Sequence, residues 1–132
     1  MSKPVFSDLF TLSGRRNRLS YFLFTLIVWA IYIADMVFIA AFDGVDLFDY
    51  QASTGSPGFA TFVGIILLLA VAISACIVGA QRCRDFGWSG WAILLGLVPF
   101  VGLIFNIALF FIPGTPGDNR YGLNPLAQDF VT

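Results

Sequence analysis

The sequence predicts an all-α membrane protein with three transmembrane helices and a short N-terminal helix at the membrane interface. Long apolar segments fill most of the 132 residues, and charged residues make up only 11% of the chain. Soluble domains carry about 25% charged residues. An apolar run of about 20 residues matches the roughly 30 Å hydrocarbon core of a bilayer. We therefore expect residues 1–132 to form a single integral membrane domain without a separate water-soluble domain.

The segment before the first apolar run is predicted to form a short helix in the membrane interface. Within residues 4–12, Phe6, Leu9 and Phe10 recur at the spacing of one helical face. Gly14 then ends the pattern. The alternative is an unstructured tail with scattered apolar residues.

The first two transmembrane helices are predicted over residues 19–42 and 59–80. Asp35 is the only charged residue in the first helix, and the second has none. The first run is longer than the roughly 7–15 apolar residues of a signal-peptide core, and no clear cleavage site precedes Asp43. We therefore expect an uncleaved spanning helix.

Two pairs of small residues indicate where helix backbones would approach closely. Ala30 and Ala34 in the first predicted span have small-xxx-small spacing, as do Ala75 and Gly79 in the second. The first two helices are therefore expected to pack together or against a partner.

The third apolar run, residues 91–112, contains Pro99 and Gly102 near its middle. We favour one transmembrane helix kinked at Pro99, because each arm of a hairpin would have about ten residues and reach only half the bilayer. A hairpin at these two residues remains the alternative. The tail, residues 113–132, begins with many turn-forming residues, which predicts an ordered non-helical cap or a flexible segment.

The distribution of basic residues predicts a cytoplasmic N-terminus. Of the 7 basic residues, Lys3, Arg15, Arg16 and Arg18 precede the first span, and Arg82 and Arg84 follow the second. The intervening loop contains Asp43, Asp46 and Asp49 and no basic residue. Basic loops stay in the cytoplasm, so this loop is expected outside. A single third crossing would place the tail outside, whereas a hairpin would return it to the cytoplasm.

Asp35 is the sharpest candidate for a polar site inside the membrane. A charged side chain at the centre of a spanning helix costs about 2.5–3.5 kcal/mol on insertion scales. If the third run crosses once, Asn106 lies at a similar depth, and we hypothesise a hydrogen bond between the two side chains. The alternative is a shallow aspartate that faces water or headgroups.

Arginines and tryptophans beside the spans are assigned to the cytoplasmic membrane interface or to lipid headgroups. Tryptophan is common at membrane interfaces, and arginine binds anionic headgroups or pairs with aspartate. The residues assigned to this surface are Arg15, Arg16, Arg18, Arg82, Arg84, Asp85, Trp88 and Trp91. The alternative is that they only fix the topology.

The composition argues against catalysis and against cofactor binding. The chain has neither His nor Glu, and Cys76 and Cys83 cannot form a zinc site without other ligands. The net charge of −1 gives no sign of a nucleic-acid partner. We expect no catalytic residue, no bound metal, no cofactor and no identifiable small-molecule substrate.

Three motifs carry a family resemblance. They are GRRNRLSY at residues 14–21, RCRDFGWSGW at residues 82–91 and PGTPGDNRYG at residues 113–122. In this order they resemble the small bacterial inner-membrane proteins catalogued as domain of unknown function 805. The resemblance implies a bacterial cytoplasmic membrane location and no mechanism. The candidate residues of the third motif are Gly114, Thr115, Gly117, Asn119, Tyr121 and Gly122.

The central motif departs from the usual pattern of this family. The family usually reads Arg-Arg-Leu-His-Asp, whereas this chain has Gln81 in place of the first arginine and Arg84 in place of the histidine. No role of that histidine in pH sensing or metal binding is carried over.

The function expected from these features is that of a non-enzymatic accessory or scaffold subunit in a larger inner-membrane complex. Three helices are too few to bury their aromatic-rich surfaces against one another, so lipid or partner proteins would cover them. The alternative is a small transporter or channel formed by self-association, with Asp35, Ser74 and Asn106 as the polar residues of the pathway.

Overall fold

A computed structural model of the chain describes residues 9–44 and 57–126. These residues form two long helices, α1 (Arg18–Asp43) and α2 (Phe59–Asp85), followed by a 3₁₀ helix (Gly90–Leu97) and a short helix, α3 (Val101–Phe111). The predicted all-α class is confirmed for this part of the chain, in which the extended structure is limited to one isolated bridge between Asn119 and Gly122.

Helices α1 and α2 match the first two predicted spans. With 26 and 27 residues, they are about 39–40 Å long, which is enough to cross a bilayer. Both are candidate membrane spans by length and hydropathy. α2 continues beyond the predicted Ala80 to Asp85, so that Arg82, Arg84 and Asp85 belong to its last turns.

Side chains and turns define the ends of these helices. The Asn17 side chain accepts a hydrogen bond from the Ser20 amide at the start of α1 (2.8 Å). The Asp43 carboxylate accepts from the backbone amides of Gly58, Ala60 and Thr61, which caps the start of α2. The last residue of α1 therefore fixes the first turn of α2.

A Schellman turn ends α2. Gly87 has a left-handed φ of 88°, and the Trp88 amide donates to the Cys83 carbonyl (3.0 Å) while the Gly87 amide donates to the Arg84 carbonyl (3.1 Å). Glycine adopts this conformation without the steric cost that other residues meet.

The third apolar run differs from the single kinked span that we favoured. It forms the 3₁₀ helix and α3, separated by a turn in which Phe100 has a left-handed φ of 61°. The two arms contact each other closely enough that a Cβ atom on Gly102 would overlap the Gly96 carbonyl. The hairpin is therefore the arrangement found, because the close approach of two glycines lets the short arms pack together instead of extending into one long helix.

The N-terminal helix is not formed where the structure describes it. Residues 9–17 are turns and irregular backbone, and residues 4–8 of the predicted helix lie outside the described residues. Asp46 and Asp49 of the predicted acidic loop also lie outside them.

The chain divides into two compact units. The first, which we call the polar unit, contains the described residues up to Thr25 and from Ser74 onward. The second, the apolar unit, contains the described residues of Leu26–Ile73. In the apolar unit α1 and α2 approach closely at Gly64, where a Cβ atom would lie 2.8 Å from Asp35 Oδ1.

Candidate functional site: a buried arginine–aspartate cluster

The three sequence motifs meet in the polar unit. The first lies at the start of α1, the second at the end of α2, and the third after α3. Their polar side chains form a buried cluster around Asp85, which is 3% exposed. Residues separated by about a hundred positions in sequence thus belong to one site.

The Asp85 carboxylate is bound by one arginine at each oxygen. Arg15 Nε donates to Oδ1 (3.1 Å), and Arg82 Nη1 donates to Oδ2 (2.5 Å). All three side chains are less than 5% exposed. Removing ions from water is costly, and it is tolerated only when charge pairing and hydrogen bonds are both nearly complete.

Arg15 uses its remaining donors to bind the third motif. Nη1 donates to the Gly117 carbonyl (2.7 Å) and Nη2 to the Thr115 carbonyl (2.9 Å). The Thr115 amide and hydroxyl in turn donate to the Asp85 carbonyl, at 2.8 and 3.0 Å. The turn after α3 is therefore an ordered cap on the end of α2.

Arg82 binds the end of α3. Its Nε donates to the Leu109 carbonyl (2.9 Å), and its Nη2 donates to the Ile112 carbonyl. The last carbonyls of a helix have no intrahelical partner and carry partial negative charge. A guanidinium fits this position well, and it holds the end of the hairpin against the end of α2.

Arg16 joins the start of α1 to α2 through Gln81. Its Nε donates to Gln81 Oε1 (3.0 Å), and its Nη1 donates to Ser20 Oγ (2.7 Å). The Gln81 amide then donates to the Thr11 carbonyl (2.8 Å), which fixes the segment before α1. Gln81, one of the two residues that depart from the family motif, thus takes part directly in the network.

The third motif contributes contacts and close packing. Asn119 Nδ2 donates to the Arg84 carbonyl (2.9 Å), so this side chain also caps α2. Gly114 lies so close to the Asp85 carboxylate that a Cβ atom would overlap it. Gly117 and Gly122 both adopt left-handed backbone, and the Tyr121 ring lies under the Arg120 guanidinium, 4.7 Å away.

The residues assigned to the membrane interface fall into two groups. Those buried inside the polar unit cannot reach headgroups, because their polar atoms bind other parts of the chain; they are Arg15, Arg16, Arg82 and Asp85. Those at the surface are Arg18, Trp88 and Trp91, together with the partly exposed Arg84. The headgroup assignment stays a prediction for this second group.

Asp35 and Asn106 occupy different units. Asp35 is buried, 4% exposed, and its Oδ2 has no hydrogen-bond partner among the described residues. Asn106 Nδ2 donates to the Gly102 carbonyl one turn earlier in α3 (2.7 Å). The proposed bond between them stays a prediction.

Sequence reasoning missed Gln81, Ser20 and Asn17 as members of the cluster. All three are buried, and each makes hydrogen bonds at the start of α1 or the end of α2. The sequence does contain one signal for them, which is their position next to an apolar span. Polar side chains that are buried at such a position need hydrogen-bond partners.

The chemistry of the cluster suits a structural role, in which it holds distant parts of the chain together. Guanidinium groups bind a carboxylate and backbone carbonyl oxygens, which is the strongest kind of protein hydrogen bonding. Among the described residues no group of three or more Cys and Asp side chains could hold a metal ion. The arrangement holds three helix ends and one turn together.

Fold and site together define a small helical membrane protein whose helix ends are joined by buried arginines. The chain belongs to the family described as protein of unknown function (DUF805), whose model matches residues 9–123. It is similar to the inner membrane protein YhaI of Escherichia coli K12, with 33% identity over 86% of this chain and 84% of the relative. It is also similar to the inner membrane protein YhaH of that strain, with 30% identity over 85% and 84%. No solved structure matches the chain.

Proposed function

We propose that this protein is a non-enzymatic scaffold or accessory subunit of a larger complex in the bacterial inner membrane. The location is supported by the names of its relatives, both inner membrane proteins. The observation that carries the scaffold role is the exposure of Ala30 and Ala34 on α1. Small residues at this spacing allow another helix to approach closely, and a lipid chain gains little from them.

The small pair on α2, Ala75 and Gly79, differs from the pair on α1. Gly79 is buried, and a Cβ atom there would overlap the Ile93 side chain of the 3₁₀ helix. This pair is therefore used for packing within the polar unit. The pair on α1 remains available to a helix of another protein.

Co-purification from native membranes tests the scaffold role. The wild type, extracted with its surrounding lipid, is expected to carry a partner at fixed stoichiometry. The Ala30→Leu/Ala34→Leu variant should lose it, because larger side chains prevent close approach. Ala72→Leu, at another exposed alanine on α2, is the matched control and should retain the partner. A wild-type protein that is purified as a monomer without partners would contradict the proposal.

We further propose that the N-terminus is cytoplasmic. Support comes from the basic residues before α1 and at the end of α2, and from the absence of Lys and Arg in the loop between them. The fusions described in the Discussion test this orientation.

A small transporter or channel formed by self-association is the second candidate. It is favoured by the buried carboxylate of Asp35, whose Oδ2 has no partner in the described part of the chain. Intramembrane carboxylates commonly mark ion or proton pathways. Proton or cation flux into liposomes that contain wild-type protein, abolished by Asp35→Asn, would favour this function over the scaffold.

A further inference from the structure

A pocket of about 510 Å³ opens within the polar unit, apart from the buried cluster. Its walls come from the last turns of α2, from the start of the 3₁₀ helix, and from Leu12 and Tyr121. The volume lies in the range of ordinary small-molecule sites. The lining is almost entirely apolar, and Arg84 is the only charged side chain among the described residues that line it.

Arg84 differs from the arginines of the cluster. Its Nη1 is shielded from solvent and has no hydrogen-bond partner in the part of the chain that the structure describes. The guanidinium packs against Gly90, where a Cβ atom would lie 2.6 Å from Nη2. A buried guanidinium donor without an acceptor is costly. The Arg84 side chain lines the pocket, so a turn of this flexible side chain would bring the donor to an anion bound there.

The apolar walls specify the rest of the ligand. Ile77, Ala80, Ile93 and Leu94 surround the space beside Arg84, and Trp91 lies at its edge with 79% of its surface exposed. Hydrocarbon fills such a space without leaving polar groups unpaired. One negative group attached to an acyl chain matches both the cation and the walls.

We propose that this pocket binds an anionic phospholipid, with the phosphate on Arg84 and an acyl chain along the apolar wall. The occupant comes from the bilayer that surrounds α1 and α2. Arginine binds phosphate through charge-assisted hydrogen bonds, and basic pockets at the ends of membrane helices bind lipid headgroups in this way. The site extends the scaffold proposal and does not depend on a protein partner.

Lipid binding to the full chain in mild detergent, followed by native mass spectrometry, tests the site. The probes are dioleoyl phosphatidylglycerol, dioleoyl phosphatidylcholine with the same chains, and glycerol phosphate without chains. The wild type should bind one phosphatidylglycerol about tenfold more tightly than phosphatidylcholine, because the choline cation of the second lipid offsets the negative charge that its phosphate presents to Arg84. Glycerol phosphate alone should not compete, because the chain contributes to binding.

Variants measure the contributions of the Arg84 cation and of the apolar walls to lipid binding separately. Arg84→Gln should lose the preference for phosphatidylglycerol, whereas Arg120→Gln, at an exposed arginine that does not line the pocket, should keep it. Cys76→Phe should weaken the binding of both lipids. Cys76 lines the pocket and is exposed, so the larger ring fills the space without disturbing the core.

Three outcomes would overturn the proposal. They are equal binding of both lipids by the wild type, an unchanged preference in Arg84→Gln, and full competition by glycerol phosphate. Melting curves establish that each variant is folded. If Arg84→Gln does not fold, the lipid preference of the wild type and the effect of Cys76→Phe decide the question.

Discussion

Asp85 is the residue on which the buried cluster depends. It is the only carboxylate that contacts Arg15 and Arg82 among the described residues, and its backbone carbonyl binds Thr115 as well. Pairing in the interior offsets the desolvation of all three ions, so the loss of one partner leaves the others uncompensated. The energetic role of this residue therefore exceeds that of any single contact.

Asp85→Asn should destabilise the protein by about 3–5 kcal/mol, because Arg15 and Arg82 would then be buried against a neutral amide. The free energy of unfolding in mixed micelles, measured by titration with a denaturing detergent, provides the value. Asp118→Asn is the control, since Asp118 is exposed and accepts one bond from the Asn124 amide. A change below about 1 kcal/mol in Asp85→Asn would contradict the structural role of the cluster, because exposed polar contacts already contribute that much.

The sequence identifies most residues of the site but not which of them bind one another. Charge beside apolar spans assigns Arg15, Arg82 and Asp85 to the cytoplasmic interface or to headgroups, with pairing between arginine and Asp85 as an alternative, and the structure shows that pairing. Arg15 and Asp85 are 70 positions apart, and no local pattern indicates that a turn near Thr115 would enclose them. Residue type gives the chemistry of a side chain, whereas its partner depends on the path of the chain.

At the scale of elements, the hairpin of the 3₁₀ helix and α3 is the distinctive feature. The turn places Phe100 at φ 61° and ψ −51°, a strained γ-turn in which the Val101 amide donates to the Pro99 carbonyl (2.7 Å). A residue with a Cβ atom adopts such a conformation at a cost of roughly 1–3 kcal/mol. The Phe100 side chain is 86% exposed and adds little internal packing. The packing of the 3₁₀ helix against α3 therefore stabilises this conformation of the turn.

Phe100→Gly should raise the free energy of unfolding by about 1 kcal/mol, since glycine adopts a positive φ without the steric cost that a Cβ atom brings. Phe100→Ala removes the same ring and keeps the Cβ atom, so it should not produce this gain. Unfolding of both variants in the same micelles gives the comparison. A helix that runs straight through this position would instead be weakened by glycine.

The contact between the arms gives a second prediction for the hairpin. Gly102→Val should lower stability by about 1–3 kcal/mol, because the side chain would overlap the Gly96 backbone. Ile104→Val, at an exposed position on the same helix, should stay within about 0.5 kcal/mol of wild type. Equal stability of both variants would show that the arms do not touch.

The long helices were predictable, whereas the hairpin was not. Apolar length places both ends of α1 and the start of α2 to within one residue, because a span must satisfy its backbone internally. The end of α2 extends past the apolar run to Asp85, where the polar cluster binds its last turns. The third run has the length of one span and a central proline, and these two facts fit a kink as well as a turn. The close contact between Gly96 and Gly102 decides between them, and it depends on tertiary packing.

At the scale of the whole molecule, the hairpin changes the expected topology. Arg15 donates to carbonyls of residues 115 and 117, so the segment before α1 and the turn after α3 lie together at the end of α2. A single third crossing would have put them on opposite sides of the membrane.

Reporter fusions test this topology. A fluorescent protein fused after Thr132 should be fluorescent, and alkaline phosphatase at the same site should be inactive, because both termini are expected in the cytoplasm. The same reporters fused after Gly44, at the opposite end of α1, should give the reverse result. An active C-terminal phosphatase would contradict the shared side.

The attachment of Arg15 to Gly117 has a consequence for biosynthesis. These residues are 102 positions apart, so an emerging chain carries the arginine long before its acceptor leaves the ribosome. Until then, insertion machinery, chaperones or water must solvate that cation. The polar unit can therefore close only after the turn that contains Gly117 has been synthesised, and a nascent chain that stalls earlier lacks this acceptor for Arg15.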